Sequence, residues 1–221
     1  MFLSILLAFS AIFNLAAAET YIVGVPSGTI ADYYHDFSGS QANRYHLDVT
    51  NVTTTLITFN QIYYSSNNSV IWNSTGLTYD VTNGLVAGDG GPVTVWFVAA
   101  NLAVGTRICS GSNIFVNETI SSYPAAGATR TVNHSNITST QNGLREVVNF
   151  WWDKITGLLV KFTWEDFFQG RLTWNNITLT GTSLWFSSLS TEALVLVAAG
   201  VCVVLAVTFL AVVIRRRKQN N

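Results

Sequence analysis

From Arg44 onward, apolar and polar residues alternate in short runs separated by breaks rich in Gly, Asn and Ser. A period of two over about four to eight residues is that of a strand with one buried face. The runs RYHLDVTNV (44–52), TLITFNQIYY (55–64), VIWNSTGLTYDV (70–81), VTVWFVAA (93–100), NIFVNETISSY (113–123) and TRTVNHSNITST (129–140) are expected strands. SSNN, TNG, AGDGGP, GSN and PAAGA punctuate them. No helical period is present there, apart from a short turn expected within 99–107. The pattern predicts an all-β, antiparallel fold, as a sandwich or an open half-barrel.

The stretch FWWDKITGLLVKFTW (150–164) reads as a hairpin. Pairing Trp152 with Leu158 puts Phe150 opposite Val160, Val148 opposite Phe162 and Glu146 opposite Trp164. The apolar residues then gather on one face, and Arg145 meets Glu165 on the other. Asp153 is expected to open the turn and Gly157 to close it with a left-handed backbone.

Two apolar segments flank the strand-rich region. Residues 1–18 end in Ala16-Ala17-Ala18 and suit a signal peptide with Glu19 as the first mature residue. Ala193–Ile214 carries no charge and is long enough to span a bilayer as a helix. Arg215, Arg216, Arg217 and Lys218 follow, which predicts a cytoplasmic tail over 215–221. The order is that of a type I single-pass protein with an ectodomain over 19–187 and a juxtamembrane stretch over 188–192. Trp185 and Phe186 are expected in the aromatic belt at the outer interface. Ala198, Cys202 and Ala206 form a small-residue face on which two spans could pack.

Charge sharpens this reading. The chain has 11 Lys and Arg against 12 Asp and Glu, and the tail holds four of the cations. The exported part therefore carries seven cations against twelve carboxylates, a net −5 hidden behind the overall −1. With no basic stripe, nucleic acid is excluded as a partner. Sequons at Asn51, Asn67, Asn73, Asn117, Asn133, Asn136 and Asn176 are expected N-glycosylation sites on a solvent-facing surface. Cys109 is the sole cysteine outside the span, so no intradomain disulfide can form. It reads as a buried thiol, with an intermolecular link as the alternative.

The segments WWDKITGLLVKF (151–162), WFVAANLAVG (96–105) and YDVTNG (79–84) resemble exported surface proteins encoded in archaeal genomes. Such proteins share a signal peptide, a sequon-rich β-domain and a terminal span with a basic tail. The resemblance implies an extracellular β-fold; it implies no activity and no site residue.

Candidate chemistry is sparse. Glu165 and Asp166 are adjacent, so a strand would send them to opposite faces and they could not act as an acid–base pair. Asp32, His35 and Asp36 form the one cluster of metal-ligand types, read as a surface loop. No nucleophile elbow or phosphate loop is present. Trp151, on the mixed face of the hairpin, is a candidate surface contact, while the other tryptophans are expected in the core. No catalytic residue, metal or cofactor is expected. The chain reads as a non-enzymatic cell-surface glycoprotein serving as a structural, adhesive or accessory envelope component. Its expected partners are the membrane and either other envelope proteins or a second copy through the span. An apolar-ligand or lipid binder is the alternative, and a surface glycoside hydrolase ranks third.

Overall fold

A computed structural model describes residues 20–40, 42–87 and 95–185. The expected signal peptide, the span over 193–214, its small-residue face, Phe186 and the basic tail lie outside the described residues. Among the described residues no helix is long and apolar enough to cross a membrane.

Ten strands run as β1 (Ile30–Phe37), β2 (Asn43–Val52), β3 (Leu56–Tyr64), β4 (Val70–Asp80), β5 (Leu85–Ala87), β6 (Glu118–Ala125), β7 (Ala128–Gln141), β8 (Leu144–Asp153), β9 (Leu159–Phe168) and β10 (Arg171–Thr182). They form one antiparallel sheet in the order β5-β4-β3-β2-β1-β10-β9-β8-β7-β6. The first half of the chain meanders outward from β1 to β5, and the second meanders inward from β6 to β10. Pairing of β10 with β1 joins the halves at the centre. The fold is all-β as expected, but as a single sheet rather than a two-sheet sandwich.

The chain must travel from one edge of this sheet to the other between β5 and β6. Its described part, 95–117, crosses one face, here called the inner face. Backbone groups of the crossover bond to strand ends, from Val98 N–H to Gly157 O (2.9 Å) and from Leu159 N–H to Trp96 O (2.8 Å). Burial of polar backbone is tolerated because those partners exist. The Trp96 ring packs 4.8 Å from Tyr33 and 5.0 Å from Tyr45, and Phe97 packs 5.3 Å from Phe59. Trp96, Phe97 and Trp152 are fully buried. Each such side chain contributes roughly 1.5–3 kcal/mol by leaving water. The alternating residues of β1 to β4 and β7 to β10 supply the rest of the core, so the period-two pattern and the buried face coincide.

Several expectations are corrected here. Of VTVWFVAA (93–100), the described residues 95–100 form no strand; they belong to the crossover, and their apolar run reflects burial on all sides. Residues 113–117 are likewise loop, and no helical turn forms within 99–107. DYYHD is no surface loop, because it is the central strand β1. Strand β10 follows β9 after two turn residues and completes the centre of the sheet. Trp185 is buried under Arg130, whose guanidinium lies 5.1 Å from the ring centre, and so belongs to the domain rather than to a membrane belt.

The hairpin turn is as expected, with Gly157 N–H bonded to Asp153 O (2.7 Å) and Gly157 at φ 71°. The register is not. Trp152 pairs with Leu159, Val160 bulges, and Trp151 pairs with Lys161. Beyond the bulge every pairing is two residues away from the expected one. Phe150 meets Phe162, Val148 meets Trp164, and Glu146 meets Asp166. A two-residue slip leaves each side chain on its own face, so apolar alternation cannot detect it.

Candidate functional site at the far end of the sheet

Strand directions give the sheet two ends. The base carries the turns 154–157 and Ala126–Gly127 and the end of β10 at Thr182. The far end carries the Asn142–Gly143 and Gln169–Gly170 turns. Asn142 (φ 51°), Gly143 (φ 78°), Gln169 (φ 49°) and Gly170 (φ 78°) are all left-handed. Two successive positive φ angles make the mirror-image turn that matches strand twist, so both loops need only two residues.

The described part of the crossover covers the inner face near the base, and among the described residues nothing covers it toward the far end. Leu144, Val148, Phe162 and Trp164 are half-buried there, and Phe168 is 45 % exposed. A groove of about 630 Å³ opens between Leu144 and Phe168 on one side and Arg171 and Thr173 on another. Gln141, Asn142 and Asp166 complete its wall.

The corrected register brings two carboxylates together beside this groove. Glu146 and Asp166 are direct cross-strand partners, a relation that holds Cβ atoms about 4.5–5.5 Å apart. Glu146 is held in place: Oε1 accepts from Trp164 Nε1 (2.7 Å) and Oε2 from Ser139 Oγ (3.3 Å). Asp166 Oδ1 is buried with no hydrogen-bond partner among the described residues. Desolvation, and then the charge of Glu146, raise the Asp166 pKa above 3.8. The expected Arg145–Glu165 pair does not form, since Arg145 lies opposite Phe167 and Glu165 opposite Val147 and Trp174. Sequence reasoning missed the Glu146–Asp166 pair because its members stand twenty residues apart and meet only in the shifted register.

Between groove and core lies a polar chain. His35 Nδ1 accepts from the Tyr63 hydroxyl (2.9 Å) and Nε2 donates to Asn175 Oδ1 (3.0 Å), while Tyr63 accepts from Asn43 Nδ2 (2.6 Å). The neutral ring with its proton on Nε2 satisfies every one of these contacts, and burial lowers the His35 pKa against the opposing effects of Asn175 and Asp36. His35 faces inward while Asp32 and Asp36 face outward on β1, so the three cannot share an ion. Asp32 instead pairs with His46 (2.8 Å). Among the described residues no group of three metal-ligand side chains converges.

The remaining singled-out residues are distributed as follows. Trp151 lies on the outer face, stacked 4.7 Å from His134 with Lys161 Nζ 5.4 Å from its ring centre. Asn51, Asn67, Asn73, Asn117 and Asn136 are exposed and Asn176 is partly so. Asn133 is corrected as a solvent-facing sequon. It is 2 % exposed, its Nδ2 donates to Leu102 O (2.9 Å) and its Oδ1 accepts from Thr119. The nitrogen that would carry a glycan is inside the fold. Cys109 is buried, and burial raises its thiol pKa, so the thiol is not presented to a partner chain.

No family model matches this chain, and neither a curated protein nor a solved structure matches it.

Proposed function

We propose that this chain is an exported, single-span surface glycoprotein whose β-domain acts by docking, as an adhesive or accessory component of a cell envelope. The carrying observation is the crossover: Trp96 and Phe97 fill the inner face where a carried lipid would lie. What stays open is the groove and hairpin tips at the far end. Four of the exposed or partly exposed sequons, Asn51, Asn73, Asn136 and Asn176, project from the outer face of the strands, and Asn67 lies in the β3–β4 turn, three strands away from β10; the Asn142–Gly143 and Gln169–Gly170 tips carry no sequon.

Carbonate washing of native membranes tests the anchor; the chain should stay in the pellet and be labelled on intact cells. Delipidated protein tests docking against carriage, and it should bind no fluorescent fatty acid at micromolar concentration. Saturable binding of that probe would overturn the docking reading.

One observation favours a second reading, glycoside hydrolysis. Glu146 and Asp166 face each other, and Asp166 keeps its proton above the usual range. A facing pair of carboxylates, one of them able to hold its proton, is what cleavage of a glycosidic bond requires. An activity on surface polysaccharide that disappears in both Asp166→Asn and Glu146→Gln, with the fold retained, would replace docking.

A further inference from the structure

The hairpin tips at the far end are apolar on both sides of the sheet. Phe168 is paired with Leu144 and Arg171, and Phe167 with Arg145 and Leu172. Successive strand residues point to opposite faces, so Phe168 and Leu144 emerge on the inner face, Phe167 and Leu172 on the outer. Phe167 is 52 %, Phe168 45 % and Leu172 47 % exposed. A protein packed against a sheet covers one face. A medium that surrounds the tip covers both.

Charge points the same way. Arg145 and Arg171 are exposed and form no ion pair among the described residues. No carboxylate occurs in 141–145 or 167–172. Glu165, Asp166 and Glu146 begin just behind and set a limit to entry. The apolar part is two residues deep, about 7 Å at the rise of a strand, which matches the roughly 5–10 Å boundary between head groups and acyl chains. The two-residue turns hold the tip in shape, so entry costs little ordering.

We propose that this tip inserts into the interface of a lipid bilayer bearing anionic head groups. The inference deepens the docking reading and rests on it for orientation. The twelve residues of β10 separate tip from base by about 40 Å, and the last described residues, 183–185, lie at the base, where Ser183 N–H bonds to Ile30 O. With the anchored reading taken as given, the tip is free to meet a second bilayer.

The test uses the full chain in zwitterionic nanodiscs, mixed with vesicles of phosphatidylcholine and phosphatidylglycerol and floated on a density gradient. The chain should float with the vesicles, less so as salt rises. Phe167→Ser with Phe168→Ser should weaken binding about tenfold or more. The paired Trp variant at the same positions should restore it. Arg145→Gln with Arg171→Gln should remove the preference for anionic vesicles. Circular dichroism identical to the parent verifies the fold of each variant. No flotation, or flotation untouched by the Ser variant, would overturn the proposal. So would nanodiscs that associate without vesicles through the same phenylalanines, which would make a second copy the occupant. A chain that does not enter nanodiscs counts against the anchored reading alone, and its direct flotation still tests the tip.

Discussion

Asp166 and His35 lie on the same face of the sheet and answer to pH in opposite senses. Burial raises the Asp166 pKa above 3.8, so the folded chain takes up that proton before the unfolded chain as pH falls. Stability from this group rises on acidification through that window. His35 is held below 6.5, so the unfolded chain takes its proton first and stability is lost as pH falls below 6.5. Asp166→Asn should therefore raise the melting temperature at neutral pH, a gain that vanishes well below 3.8. His35→Gln should flatten the loss below 6.5 in the same calorimetric series. A third residue-scale effect concerns Asp153, which is fully buried and held by Arg130 Nη2 at 2.9 and 3.0 Å. Arg130→Met leaves that carboxylate without its partner and should cost about 3 kcal/mol or more in urea unfolding. At this scale the sequence is a poor guide to roles. Asp153 reads as a turn residue and is one, but its second role as half of a buried ion pair depends on Arg130 two strands' length away in the chain. His35 reads as part of a surface loop, because nothing local shows that Tyr63 and Asn175 flank it.

Hairpins are the elements the chain encodes most directly, and glycine shows what kind of constraint each carries. Gly157 and Gly143 share a left-handed backbone, at φ 71° and 78°. An added Cβ at Gly143 meets nothing within 4 Å, whereas at Gly157 it would collide with Val98 O. Gly143→Ala should cost about 1 kcal/mol, the left-handed penalty alone. Gly157→Ala should cost about 3 kcal/mol or more, because the crossover backbone must also move. Chemical denaturation of the two variants side by side checks the difference. The turn at Gly157 is legible in the sequence; the crossover pressed against it is not. The same limit explains the register. Alternation identified the faces of β8 and β9, while the Val160 bulge shifted their partners and created the Glu146–Asp166 pair.

The described residues share one core, because the crossover packs against both halves of the sheet and β1 pairs with β10. Cys109 reports on it. The thiol is buried, its pKa is raised, and it lies against Gly84, where a Cβ would be only 2.7 Å from Sγ. It should stay unreactive toward thiol reagents in native buffer and react in step with global unfolding. Labelling that runs well ahead of unfolding would mean that the crossover opens on its own. The antiparallel β class, the position of most strands and the turn at Asp153–Gly157 are written in local periodicity and backbone preference. That the described strands make one sheet, that residues 95–100 cross it instead of joining it, and which carboxylates meet are settled by long-range packing. Those outcomes depend on contacts between residues far apart in the chain, and a pattern of period two is blind to any shift by two.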